Sequence, residues 1–236
     1  MNKTILPTED TLWKNLYFVG GIAALVQLAS ILIYTAVIAV LGAPPASVDE
    51  YFAAFQTAPV ATLFRGDFLL LFLIGGYFGT FPALFLSLRK VNPVAAMLAT
   101  LFTFVAVTVC FATESTFALR HLAGQYAVAD EAQRSQLVAA AEAVIASDMW
   151  HSSGAYVSGF LMQGGGVIIS LVMLKSKDFS KVTAIAGLLG NALDLTQHLL
   201  HPFAPSISAP IQMLMGPFYL VWFPMLARDL FRLGRK

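Results

Sequence analysis

The sequence predicts an all-α fold: a polytopic membrane helical bundle with six transmembrane helices and both termini in the cytoplasm. Of 236 residues, 58% are hydrophobic and only 11% are charged, whereas soluble domains carry about 25% charged residues. The apolar residues form long runs without the two-residue alternation of barrel strands. This composition excludes soluble globular, disordered and nucleic-acid-binding proteins, and the expected partner is the lipid bilayer.

Each apolar run is long enough to cross a bilayer, because roughly 20 residues at a rise of 1.5 Å span about 30 Å of hydrocarbon. The six predicted spans are about 16–41, 68–88, 93–113, 150–174, 182–200 and 207–230. No linker or low-complexity tract separates them. Residues 1–236 are therefore expected to form a single transmembrane domain.

Lysines and arginines predict the orientation, because they are concentrated in cytoplasmic flanks. Eleven of the fourteen fall on one predicted side: Lys3, Lys14, Arg89, Lys90, Lys175, Lys177, Lys181, Arg228, Arg232, Arg235 and Lys236. The other side has Arg65, Arg120 and Arg134. We therefore expect a multi-pass protein of the cell (inner or plasma) membrane with cytoplasmic N and C termini.

Two outer loops are expected to contain short amphipathic helices. In the first loop, Ser47 and Glu50 have the spacing of a capping box. In the second, Asp130 precedes the alanine-rich segment EAQRSQLVAAAEAVIASD, whose composition favours a helix. Both helices are predicted to lie at or above the outer membrane interface.

The fifth run has a polar stripe that suggests a functional site. Asn191, Asp194, His198 and His201 are spaced three, four and three residues apart. On a helix they fall within a stripe roughly 80° wide. Ionisable groups inside a membrane are costly, so their presence points to function. The predicted topology brings other His, Asp and Glu residues to the same extracytoplasmic side.

One hypothesis is a metal-dependent hydrolase or lipid-modifying enzyme. The candidate ligands of a zinc ion are Asp194, His198, His151 and His201, the last preceding a proline that can end the helix. The candidate catalytic residues are Asp194 and Glu114, with Glu114 as general base toward a zinc-bound water.

Other functions are compatible with the same residues. Asp194 and Gln163 could line the path of a small-molecule or ion transporter or binder. The polar residues could instead specify helix packing in a structural membrane protein without catalytic activity. A haem held between His151 and His198 is a further alternative. The cofactor, the substrate and the oligomeric state are not determined by the sequence.

Two segments carry a family resemblance: FLSLRKVNPVAAMLATLFTFVAV and YVSGFLMQGGGVIISLVMLKSKDFSKVTAIAGLLGNALDL. With the alanine-rich segment, they resemble the bacterial membrane proteins of domain-of-unknown-function family 4386. The resemblance implies a multi-pass bacterial membrane protein and no established activity or site. The histidine spacing is also similar to that of ceramidase-like membrane hydrolases, which hold zinc in a helical bundle. This chain lacks their fuller ligand set.

Overall fold

The computed structural model describes residues 9–148 and 151–236. Within these ranges the regular secondary structure is helical, which confirms the all-α prediction. The helices are α1 Glu9–Leu41, α2 Val48–Thr57, α3 Pro59–Arg65, α4 Phe68–Gly75, α5 Tyr77–Leu88, α6 Pro93–Thr113, α7 Thr116–Tyr126, α8 Glu131–Ala146, α9 Ser153–Lys175, α10 Lys181–Leu200 and α11 Pro205–Gly234.

Several helical segments are long and apolar enough to cross a membrane. In the described part of the chain they are Trp13–Leu41, Phe68–Leu88, Pro93–Tyr126, Ser153–Lys175 and Pro205–Gly234. The protein is therefore a helical membrane protein with several spans. Helix α10, the predicted fifth span, is not among these segments, because Asn191, Asp194 and neighbouring polar residues lower its mean hydropathy. The sixth crossing stays a prediction.

Local sequence signals explain several helix boundaries. The side chain of Asn92 accepts a hydrogen bond from the backbone N–H of Ala95 and begins α6. Asp130 and Gln133 form a reciprocal capping box that begins α8. The Ser47 side chain accepts a hydrogen bond from the Glu50 N–H and begins α2, while the Glu50 carboxylate accepts from the Ala46 N–H and not from the Ser47 N–H of a full capping box. Helices therefore form where the two loop helices were predicted, whereas their placement at an outer membrane interface is untested.

The second apolar run is divided into α4 and α5 at Gly76. Gln27 of α1 is fully buried beside this break, and its Nε2 donates to the Leu73 carbonyl at 2.9 Å. A Cβ on Gly76 would collide with the Gln27 side chain. The absence of a side chain at Gly76 thus allows α1 to approach the break closely.

The long helices pack in a closed ring. Helix α1 contacts α11, which contacts α10, and α10 contacts α9. Helix α9 contacts α6, and the α4–α5 segment joins α6 back to α1. Large apolar side chains such as Ile22, Leu101 and Ile185 remain exposed on the outside of this ring, as expected for helices that face lipid. The ring positions six helical segments around a shared interior.

The short helices α2, α7 and α8 pack together beyond one end of the ring. Their contact surface is a small hydrophobic core that is separate from the main one. Phe52 of α2 and Tyr126 of α7 meet there with ring centroids 4.8 Å apart. This cluster covers one end of the bundle, next to the candidate site.

Candidate functional site

A cavity of about 510 Å³ lies inside the ring of helices. Every segment of the ring contributes to its wall, from Ile31 on α1 to Phe223 on α11. Most of the wall is apolar, but polar side chains form a cluster at one part of it and acidic side chains line another. Ligand pockets in proteins have this size and this mixture of an apolar wall with a few converging polar groups.

The polar cluster is centred on Asp194 of α10. Its Oδ1 is 3.0 Å from Nδ1 of His198, one helical turn later. Its Oδ2 accepts a hydrogen bond at 2.9 Å from the Tyr219 hydroxyl of α11. The same hydroxyl lies 3.1 Å from Oε1 of Gln163 on α9. Three helices therefore converge on one buried carboxyl group.

Small residues on α9 make room for this cluster. A Cβ on Gly159 would collide with the His198 ring, and one on Gly166 would collide with the Asn191 amide. Helices that lack side chains at a contact can approach closely, which is the role glycine takes in membrane bundles. Gly159 thus lets the His198 ring lie against α9, where it lines the cavity.

Gln197 has an unusual position beside the cluster. The residue lines the cavity and is only 1% exposed. Neither its Nε2 nor its Oε1 has a hydrogen-bond partner among the described residues. A buried polar group without a partner costs roughly 1–3 kcal/mol, so a ligand group that reached this amide from the cavity would stabilise the folded protein.

The cavity wall nearer the short-helix cluster is acidic. Asp67, at the start of α4, accepts a hydrogen bond from the Ser115 hydroxyl at 3.3 Å. Burial raises the pKa of Asp67 above its usual value, and the Asp148 carboxylate raises it further, while the bond from Ser115 opposes the shift. Asp148 pairs with His151, whose Nδ1 is 2.8 Å from Asp148 Oδ1.

The single cysteine of the chain also faces the cavity. Cys110 of α6 lines the wall with 5% of its surface exposed. Its Sγ is 3.2 Å from the Ser158 hydroxyl of α9. The Ser158 hydroxyl donates to the Ala155 carbonyl at 2.8 Å. Because the chain has no other cysteine, this thiol can report on access to the cavity.

The structure brings only part of the predicted metal site together. Asp194 and His198 are in contact, and His151 lines the same cavity but pairs with Asp148. His201 follows the end of α10, with Nδ1 3.5 Å from the Ser208 hydroxyl. Neither His201 nor Glu114, which follows the end of α6, is among the residues that line the cavity.

The donor set does not fit the predicted zinc ion. Zinc sites in proteins use three or four protein ligands, and Asp194 with His198 supplies two. Throughout residues 9–148 and 151–236, no three His, Cys, Asp or Glu side chains come together in a group that could hold a metal. The physical reason is that a local turn pairs His151 with Asp148 three residues earlier, while helix packing aligns Tyr219 with Asp194.

A comparison with known protein families finds a match over most of the chain. The model described as "Domain of unknown function (DUF4386)" matches residues 53–228, which include the whole ring except α1 and the last residues of α11. The chain belongs to the DUF4386 family. The predicted family resemblance is thereby confirmed. Neither the curated proteins nor the solved structures include a significant match.

Within this DUF4386 protein, two residues of the site have no role assigned to them by the sequence, although Gln197 flanks the polar stripe. Tyr219 is the only tyrosine of α11, and a tyrosine in an apolar run is a signal, since a buried hydroxyl needs a partner. Gln197 lies three residues after Asp194, on the same helical face. Both residues can be noticed in the sequence, but the sequence does not show which side chains Tyr219 and Gln197 contact in the folded protein.

Proposed function

We propose that this protein binds a small organic molecule in the cavity of its membrane bundle, with the Asp194 cluster as the polar end of the binding site. The observation that supports this proposal most directly concerns Gln197, which lines the cavity. Its side-chain amide is buried and has no hydrogen-bond partner among the described residues. A ligand that donates to or accepts from this amide would remove the free-energy cost of leaving it unpaired.

The dimensions of the cavity support this proposal. Its volume of about 510 Å³ is within the range of roughly 300–1,000 Å³ found for small-molecule sites. The Asp194 cluster supplies hydrogen-bonding groups that would orient a ligand, while Leu73 and Met162 belong to the apolar wall that would cover its hydrocarbon part. A purely structural role explains the Asp194 pairing but not the unpaired Gln197.

The hydrolase hypothesis is less well supported by this geometry. Activation of water by zinc requires a bound metal ion, and the described residues offer two separate carboxyl–imidazole pairs at the cavity, Asp194–His198 and Asp148–His151, without a group of three ligands. No mechanism through a metal is therefore derived for this chain. Binding is common to the transporter and binder hypotheses, and it is the part that the cavity supports.

We further infer that the cavity lies within a six-span bundle of the cell membrane whose termini are cytoplasmic. Helix α10 supports a sixth span, because Val182, Ile185 and Leu189 leave much of its outward face apolar. Its residues Asn191, Asp194 and Gln197 are buried. The distribution of eleven against three basic residues supports the orientation. The lipid bilayer is then the partner of the exposed apolar faces.

Labelling of Cys110 tests whether the cavity admits small molecules. N-ethylmaleimide adds to a thiol by forming a C–S bond while the thiol proton moves to the adjacent ring carbon. We expect purified, folded protein in detergent to gain one maleimide mass, measured by intact mass spectrometry. Ala155→Phe, which places a ring in the cavity wall, should slow this labelling by at least about tenfold, since the cavity is the route to the thiol.

A matched control separates cavity access from access through detergent. In a Cys110→Ser background, Phe111→Cys places a thiol on the exposed side of α6, where Phe111 is 38% exposed. Its labelling should be unaffected by Ala155→Phe. Native Cys110 that reacts only after unfolding, or at the same rate with and without Ala155→Phe, would contradict the proposal.

A further inference from the structure

We infer that the ligand of this cavity is an organic cation: an ammonium group attached to an apolar body. This inference rests on the proposed function and specifies the class of ligand. It is carried by the charge of the cavity wall, by the aromatic side chains next to Asp194, and by the unpaired amide of Gln197.

The ionisable groups of the wall favour a positive ligand. Among the residues that the structure describes, three carboxyl groups line the cavity, those of Asp67, Asp148 and Asp194, whereas no lysine or arginine lines it. The two histidines are His151 and His198. Even with both imidazoles protonated, ionised carboxylates would exceed imidazolium groups by one. Burial opposes the ionisation of Asp67, whose pKa is raised above its usual value.

Aromatic rings stand next to the buried carboxyl group. Tyr77, Tyr219 and Phe223 all line the cavity. The ring of Phe223 is 5.7 Å from that of Tyr219 and 6.5 Å from that of Tyr77, measured between centroids. The faces of aromatic rings attract ammonium groups, and sites of this kind bind quaternary ammonium ligands. The Tyr219 hydroxyl also links this wall directly to Asp194.

The position of Gln197 supports the inference by an argument that does not depend on charge. The amide is 1% exposed, lines the cavity and has no partner among the described residues. It lies three residues after Asp194, so the two side chains share a face of α10. Gln197 Oε1 would accept an N–H of a primary ammonium group whose charge is balanced by Asp194.

Other ligand classes fit less well. An anion would meet carboxylates without a lysine or arginine in the wall to balance it. A neutral molecule would leave the excess of one carboxylate over the two imidazoles uncompensated. A bare metal ion needs a close ligand set that the described residues do not form, and it would fill little of a 510 Å³ cavity. An organic cation satisfies the charge, the aromatic wall and the volume together.

A matched set of compounds tests the inference. Phenethyl, cyclohexylethyl and hexyl groups are each compared as the ammonium, the alcohol and the carboxylate. The readout is protection of Cys110 from N-ethylmaleimide at increasing compound concentration, at pH 7 with the full-length protein in detergent. We expect at least one ammonium compound to protect at a concentration at least about tenfold lower than its own alcohol, and the carboxylates not to protect.

Charge-removing variants assign the effect to the site. Asp194→Asn should reduce the preference for the ammonium over the alcohol by at least about tenfold. Asp67→Asn is the second test, used if Asp194→Asn does not fold, with a smaller reduction expected. Asp49→Asn is the matched control, because Asp49 is an exposed residue outside the cavity wall. It should leave the preference unchanged.

Each outcome bears on one of the two proposals. If alcohols or carboxylates protect as well as every ammonium compound, the inference is overturned and the proposed function stands. If Cys110 reacts through the cavity but no compound of any class protects it, the inference is overturned as well. If Cys110 of the folded protein does not react at all, the proposed function fails and the inference fails with it. An ammonium preference equal in Asp194→Asn, Asp67→Asn and wild type would also overturn the assignment to this site.

Discussion

Gly159 and Gly164 are two glycines of the same helix with different surroundings. A Cβ on Gly159 would lie inside van der Waals contact of the His198 ring, whereas nothing lies within 4 Å of the corresponding point on Gly164. Packing therefore requires a glycine at position 159 and tolerates a larger residue at position 164. The first of these positions determines where the His198 ring lies.

We predict that Gly159→Ala lowers the free energy of unfolding by about 1–3 kcal/mol, because the added methyl group overpacks the contact with His198. Gly164→Ala should have little effect and serves as the matched control. Both variants are measured by thermal or denaturant unfolding in detergent. Equal stabilities of the two variants would show that the Gly159 contact is not tight.

Asp67 should make the stability of the protein depend on pH. Its pKa in the folded state is raised above the usual value, chiefly by burial. The folded protein then binds the proton more tightly than the unfolded chain, so stability falls as the pH rises from about the usual pKa of 3.8 through the folded value. Ionisation of this side chain works against folding at neutral pH.

We predict that Asp67→Asn raises the melting temperature at pH 7 and flattens its dependence on pH. The difference between variant and wild type should shrink toward pH 4, where the wild-type carboxyl group is increasingly protonated. Melting temperatures measured from pH 4 to pH 8 check this. The exposed-site variant Asp49→Asn should retain the wild-type profile, and an identical profile for Asp67→Asn would refute the prediction.

At the scale of elements, Asp229 joins α10 to α11. It is fully buried and accepts hydrogen bonds from the Ser180 backbone N–H at 2.9 Å and the Thr183 hydroxyl at 2.6 Å. Arg228 and Arg232 lie within 2.9 Å and 3.4 Å of its carboxylate. Because Ser180 is the N-cap of α10, one side chain of α11 positions the start of the helix that carries the site.

We predict that Asp229→Ala lowers the free energy of unfolding by about 1–3 kcal/mol, since it leaves the Ser180 N–H and the Thr183 hydroxyl without their acceptor. Arg228 and Arg232 are about half exposed, so water can solvate their charges. Asp178→Ala is the control: its carboxylate is 40% exposed and pairs with Lys236 at 3.4 Å. A pair of this kind contributes at most about 1 kcal/mol. Denaturant unfolding of both variants checks the contrast, and a loss below about 1 kcal/mol for Asp229→Ala would contradict it.

At the scale of the whole molecule, topology determines which side of the membrane the acidic wall of the cavity faces. In a Cys110→Ser background, Gln133→Cys on α8 and Lys177→Cys between α9 and α10 place exposed thiols at opposite ends of the bundle. A membrane-impermeant maleimide added to intact spheroplasts should label the thiol at 133, whereas the thiol at 177 should react only after permeabilisation. The reverse pattern would invert the predicted orientation.

Much of the fold is predictable because its causes are local. The predicted span 93–113 coincides with α6, since Asn92 and Pro93 form a helix start that depends only on neighbouring residues. The capping box at Asp130 predicts α8 in the same way. The division of the second run at Gly76 was not predicted, because it depends on the approach of Gln27 from a distant helix.

The sequence by itself determined that this is a helical membrane protein and which helix carries its polar stripe, because hydropathy and helical spacing act over short stretches of chain. Only the tertiary structure decided the composition of the site. Tyr219 reaches Asp194 across 25 residues and Gln163 across 56, and His151 pairs with Asp148 instead of joining a metal site. The partners of Tyr219 depend on how each helix is rotated in the ring, and packing between distant segments sets that rotation. The His151–Asp148 pair, by contrast, forms within one turn of the chain.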